Sequence, residues 1–198
     1  MRFLLILCGL ALIAGCTVPA DPQSTLQEAE ARAYKAPGPA SITVITMINN
    51  RTGSGGHTAL MVSGSQRVIF DPAGSFRDPR VAERGDVIFG ITPAWERAYK
   101  SAHARDTYHV VTQKIDVTDE QAEQALQLVL TNGAVAKSYC TNSTTTLLRQ
   151  VPGFEDTRVT FFPKHLMEQI AKRGDVTTDK YYENDAGDVL DGVAGKAI

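Results

Sequence analysis

Residues 55–74 read GGHTALMVSGSQRVIFDPAG, and this stretch decides the fold. Two apolar, β-prone runs, His57–Val62 and Gln66–Phe70, flank Ser63-Gly64-Ser65. Small turn residues between two such runs predict a β-hairpin. Asp71-Pro72-Ala73-Gly74 stops the second strand, since Asp starts turns and Pro has no N–H to give a ladder. Strands joined by a tight turn pair symmetrically about it. His57 and Asp71 stand seven positions either side of Gly64, so the hairpin is expected to set an imidazole beside a carboxylate. Taken singly, each has a plain structural reading, a surface strand residue and a turn starter.

The neighbouring segments extend the pattern. Ser41–Met47 (SITVITM) reads as a strand, followed by the turn-rich loop 49–56. Asp86–Ile91 and Tyr108–Ile115 read as further strands. Thr92 ahead of Pro93 is a helix start, with Pro at the first helical position, and predicts a helix to His103. Thr118-Asp119-Glu120-Gln121 is a capping box. The helix behind it sets Ala122, Ala125, Leu126, Val129 and Leu130 on one face and ends at Asn132-Gly133. Pro163–Arg173 reads as a last helix. Strands and helices in this mixture make an α+β domain whose antiparallel sheet packs against helices. There is no internal repeat and no low-complexity segment.

Farther along, residues 137–151 read KSYCTNSTTTLLRQV. Thr141-Asn142-Ser143-Thr144 offers N-cap chemistry, and Leu147, Leu148 and Val151 supply an apolar face, so Cys140–Gln150 is expected to be a helix with the thiol in its first turn. A free thiol with pKa about 8.5 is mostly protonated at neutral pH. A helix N-terminus favours its anion through the macrodipole and unpaired amides, and the same amides can receive an oxyanion. Such a cysteine needs a base and the base an orienter. His57 and Asp71 are the candidates for those two tasks. The plain alternative is a cysteine packed in the core.

The ends of the chain bear on the compartment. Met1-Arg2 precedes the apolar run FLLILCGLALIA (Phe3–Ala14), too short to span a bilayer. It reads as a signal peptide. Leu12-Ile13-Ala14-Gly15-Cys16 resembles a bacterial lipoprotein signal, which implies removal of residues 1–15 and acylation of Cys16. Thr17 in place of Asp implies sorting to the outer membrane, on its periplasmic face. Two or more acyl chains hold a protein stably on a bilayer. Of the three cysteines, Cys8 would leave with the signal and Cys16 carry lipid, so Cys140 is the single free thiol of the mature chain. Residues 16–40 read as a lipidated tether, with a helical turn near Leu26–Tyr34, residues 41–184 as the domain, and residues 185–198 as a fraying tail.

A formal charge of −2, with 43% hydrophobic and 21% charged residues, describes an ordinary globule and excludes a nucleic-acid binder. His103, His109 and His165 lack ligand spacing, so no metal and no cofactor is expected. Thr52-Gly-Ser-Gly-Gly56 lacks the Lys-Ser/Thr ending of a phosphate loop, and there is no Gly-x-Ser-x-Gly elbow.

Together GGHTALMV, VIFDPAG and SYCTNSTTTLL resemble the circularly permuted branch of the NlpC-type papain-like superfamily, which includes proteins similar to lecithin retinol acyltransferase. The similarity covers roughly His57 to Leu148. In that branch the His strand precedes the Cys helix, as here. One motif departs: Gly85-Asp86-Val87-Ile88-Phe89 follows the His strand, where such proteins place it before. The resemblance implies a papain-like fold, with Cys140 as nucleophile, His57 as base and Asp71 as third polar residue. It also implies roles at the substrate or oxyanion for Tyr139 and Thr141. The expected activity is that of a cysteine peptidase, amidase or acyltransferase. A monomer is expected, working through a Cys140 thioester on cell-wall peptides or acyl lipids. The alternative is a non-catalytic envelope lipoprotein that binds or supports.

Overall fold

The computed structural model describes residues 23–183. The segments expected to be a signal peptide and a C-terminal tail, and Cys16, lie outside them. The elements run α1 (Leu26–Ala31), β1 (Ser41–Asn49), β2 (Gly55–Ser63), β3 (Arg67–Phe70), β4 (Glu83–Arg84), β5 (Val87–Ile88), α2 (Pro93–His103), β6 (Tyr108–Asp116), α3 (Asp119–Asn132), α4 (Cys140–Leu148), α5 (Pro163–Ala171) and β7 (Val176–Tyr181). Among the described residues this is an α+β fold with one seven-stranded antiparallel sheet, ordered β4-β5-β3-β2-β1-β6-β7, and five helices.

Side chains alternate across the central strands, and each face has its own core. Ile42, Val44, Leu60, Val62, Val68 and Phe70 face α1, α3, α4 and α5, where they meet Ala29, Leu126, Val129, Leu147 and Leu166. Ile45, Met47, Ala59, Met61, Ile69 and Val110 face α2 and pack on Tyr99, Phe76 and Ala104. The continuous burial of β1 follows from helices on one face and α2 on the other.

The predicted hairpin forms, shifted in register. Leu60 pairs with Phe70 and Ser63 with Arg67, so the pairing is centred on Ser65 rather than Gly64. The capping predictions hold in detail: Thr92 accepts from Trp95 N, and Thr118 and Gln121 form the reciprocal box. Helix α4 differs. It stops at Leu148, its N-cap is Tyr139, and no side chain caps it, so Thr141–Thr144 lie inside the helix. Val176–Tyr181 forms an edge strand against β6 that sequence reading did not propose; its buried contacts are few and its pattern mostly polar. The Asp86–Ile91 run shortens to β5, because Gly85 and Asp86 take left-handed φ angles of 59° and 62° in the β4–β5 turn.

Residues 24–40, within the stretch read as a tether, lie against the sheet. Ser24 N donates to Glu83 O at 2.8 Å, Arg67 N donates to Tyr34 O at 2.6 Å, and Ala29 is buried in the helical core. Gly90 accepts this segment closely: its φ is +70°, and a Cβ there would come 2.5 Å from Arg32 O. Gly90→Ala is therefore expected to destabilise the protein by about 2 kcal/mol through the left-handed backbone and the clash, measured as a lower urea midpoint at unchanged m-value.

Candidate active site

The site forms where the hairpin runs out. β3 ends at Phe70, opposite Leu60, so residues 55–59 of β2 pair with β1 alone. Helix α4 packs on β2 from one face and brings its first turn to this notch. His57 enters from the other face, with the parity of Ala59 and Met61. Gly55 and Gly56 make the strand end thin. A Cβ on Gly55 would meet Pro163 Cβ and Lys164 N at 2.7 Å, and one on Gly56 would meet the Tyr108 ring at 2.6 Å. The close approach that the glycines allow is thus to the start of α5 and to an aromatic ring.

Cys140, His57 and Asp71 come together. His57 Nε2 lies 2.7 Å from Asp71 Oδ1, and the ring is near enough to the Cys140 sulfur for each to shift the other's pKa. With Nε2 on the carboxylate, Nδ1 is the nitrogen left for sulfur. The two-residue register shift does not separate the pair. Side chains alternate with a period of two, so Asp71 stays on the His57 face as a diagonal neighbour; a one-residue slip would have sent it to the opposite face.

Electrostatics at the notch favour the ion pair. Burial alone would push the thiol up. The hydrogen bond and charge of His57, with lesser bonds from the Thr58 backbone and the Thr141 hydroxyl, outweigh it and bring Cys140 from 9.0 down to about 7. Burial alone would push His57 down. Its bonds to Asp71 and then Cys140, with the charges of both, lift it from 6.5 to about 9. Asp71 is 1% exposed, yet its carboxyl lies below the usual range, because His57 and then His103 and Tyr99 offset its burial.

Two residues on α2 that sequence reading left out complete the site. Tyr99, wholly buried, donates its hydroxyl to Asp71 Oδ1 at 2.6 Å. His103, one turn on, lies over His57 with ring centroids 6.2 Å apart and planes 13° from parallel. Its Nδ1 is 2.8 Å from Tyr99 O, a contact that requires Nδ1 to carry the proton. Burial, the strongest influence, holds His103 below its ordinary pKa. The i,i+4 spacing of Tyr99 and His103 was the available signal, since it sets both on one helix face.

The remaining predicted residues differ in exposure. Tyr139 is 48% exposed and stands edge-on to Phe161. Thr141 is fully buried, with its hydroxyl 3.1 Å from Thr58 Oγ1 and 3.8 Å from the Cys140 sulfur, so the hydroxyl serves the thiol and only the backbone amide of Thr141 is left to meet an oxyanion. Ser143 N is the first helix amide bonded back, to Tyr139 O at 2.8 Å. The N–H groups of Cys140, Thr141 and Asn142 precede the i→i−4 ladder. Ser138, at φ 70°, supplies the sharp turn into the helix.

Asp71 leaves no space for a side chain at Gly74. An added Cβ would fall on the Asp71 carboxylate, and no positive φ excludes alanine there. Gly74→Ala is expected to push the carboxylate off His57 and lower the His57 pKa from about 9, measured by NMR titration of the ring protons. A titration unchanged by the substitution would contradict the packing described.

The cavities lined by Lys35, Pro39 and Asp119, by Arg158, Gln169 and Arg173, and by Phe76, Arg77 and Glu83 lie away from the thiol. Among the described residues no helix is long and apolar enough to cross a membrane. No protein-family model, curated protein or solved structure matches the chain.

Proposed function

We propose that the protein is a cysteine hydrolase or acyltransferase of the cell envelope, with a papain-like domain in circularly permuted order. The observation that carries this reading is the Cys140–His57–Asp71 chain at the uncapped start of α4. A thiol drawn down toward neutrality beside an imidazole held protonated is a nucleophile paired with its acid.

In the proposed reaction the Cys140 thiolate adds to a substrate carbonyl. The charge that develops on oxygen meets the backbone amides at the start of α4. The C–N or C–O bond breaks, and His57 gives its proton to the leaving amine or alcohol. Water or an alcohol then attacks the thioester and passes a proton to His57, returning the thiolate. Asp71 holds the ring so that Nδ1 faces sulfur, and Tyr99 holds Asp71.

Lipidation at Cys16, with the domain on the periplasmic face of the outer membrane, makes cell-wall peptide amides and acyl lipids the substrate classes. Incubating the protein with purified peptidoglycan and with phospholipid vesicles, and analysing products and the protein mass together, tests this. The expected result is a new product from one of the two and a mass increase that maps to Cys140. No product and no adduct would favour a binding module instead.

A further inference from the structure

The segments flanking the thiol hold large apolar side chains in the open. Tyr139, Val159, Phe161 and Phe162 are all exposed, Phe162 by 62%. Tyr139 meets Phe161 at 5.1 Å between ring centroids, and Phe162, the next residue, meets His165 at 5.0 Å. The loop bearing them is tied down. Thr160 N donates to Thr145 Oγ1 at 3.3 Å, and Arg158 exchanges backbone bonds with the Gln169 amide at 2.7 and 3.1 Å. An apolar patch held outward by a bonded loop marks an interaction surface.

The charge around the patch says which kind. Residues 134–154 and 157–167 contain no Asp or Glu, although the chain as a whole carries −2. The same segments carry Lys137, Arg149, Arg158 and Lys164, all exposed. Among the described residues, Lys137, Arg158 and Lys164 have no carboxylate partner. Exposed rings beside Lys and Arg, with Glu155 and Asp156 the only acids between residues 134 and 167, match the interface of an anionic bilayer, where rings settle at headgroup depth and cations meet lipid phosphates. A two-fold contact with a second copy would instead set two cationic rims against each other.

We infer that the rim of Tyr139, Phe161, Phe162, Lys137, Arg158 and Lys164 docks on the surface of an anionic phospholipid bilayer and holds the Cys140 notch at the headgroups. The expected anchor agrees with this geometry. Seven residues separate Cys16 from Ser24, a reach of at most ~29 Å. Ser24 is bonded to the domain, and α1 packs in the same layer as α4. The consequence for substrate rests on the reading of Cys140 as a nucleophile; the docking does not.

The test uses the full chain carrying Trp95→Phe and Phe162→Trp, mixed with phosphatidylglycerol and phosphatidylethanolamine vesicles whose acyl chains are brominated. The protein is expected to sediment with the vesicles, with tryptophan emission shifted to the blue and strongly quenched. Adding Lys137→Glu, Arg158→Glu and Lys164→Glu is expected to abolish the quenching at unchanged circular dichroism, even where the lipid anchor keeps the protein on the vesicles. Three results would overturn the inference: no sedimentation, unquenched emission from vesicle-bound protein, or blue-shifted emission without vesicles. The last would mean that protein covers the rim. Iodoacetamide labelling of Cys140 in the same samples separates the two proposals, since quenched tryptophan beside an inert thiol would keep the docking and remove the nucleophile.

Discussion

Cys140→Ala is expected to lower turnover of the substrate that peptidoglycan and phospholipid trials identify by at least ~10³-fold, with the fold intact. The sulfur is the atom that bonds to carbon in the proposed reaction, and no other cysteine is found among the described residues. Alanine removes one atom from a site 8% exposed, so the cost in stability is about 1 kcal/mol. Cys140→Ser is expected to be as inactive, because a hydroxyl does not ionise near neutrality and so offers no anionic nucleophile to the substrate, even with His57 still held by Asp71. The comparison is made on initial rates, with thermal melts confirming that all three proteins fold. A Cys140→Ala protein with wild-type turnover would remove the thioester from the account.

Asp71→Asn is expected to cost about 10²- to 10⁴-fold in turnover, for a different reason. The amide keeps the shape but loses the charge. His57 then feels burial, its strongest influence, without the carboxylate that lifts it to about 9, so its proton leaves at lower pH and the sulfur regains one. The amide NH₂ can also face Nε2 and select the wrong tautomer. Stability should follow with a defined pH window. The Asp71 carboxyl is lowered in the fold, so its contribution is present above the unfolded carboxyl pKa and is lost as pH falls through the folded one. His57 is raised, so its contribution is complete below 6.5 and is lost as pH rises through about 9. Wild type is thus expected to exceed Asp71→Asn by about 2 kcal/mol between roughly pH 4.5 and 6.5, with the gap closing on both sides. Urea titrations of both proteins across pH 3–10 would show it, and a gap independent of pH would refute the charge argument.

Local chemistry made much of this legible in the sequence. Thr92-Pro93, the Thr118–Gln121 box and Gly133 are short-range signals, and each produced its cap. The hairpin turn and the parity of its strands brought His57 and Asp71 to one face even though the register moved by two. What stayed hidden depends on long-range packing. Tyr99 reaches Asp71 across 28 positions of chain, and nothing near it in sequence indicates a carboxylate. Thr141 is turned inward because Thr58 waits beneath it. The polar run Val176–Tyr181 is a strand because β6 offers it an edge. Residues 24–40 look like linker by composition, yet β3, β4 and Gly90 supply the bonds and the space that seat them.

The proposed nucleophile rests on an ion pair between Cys140 and His57, and the pH dependence of iodoacetamide labelling reads that pair without any substrate. In the native protein labelling is expected to rise with a midpoint near 7 and level off, while in His57→Ala the midpoint moves toward 9. At pH 7 the loss of thiolate, roughly fiftyfold, is partly offset by the higher nucleophilicity of the more basic sulfur, which leaves the variant about tenfold slower. Above pH 9 the order is expected to reverse. A native thiol that titrates near 9, or labels at the same rate with and without the imidazole, would contradict the account.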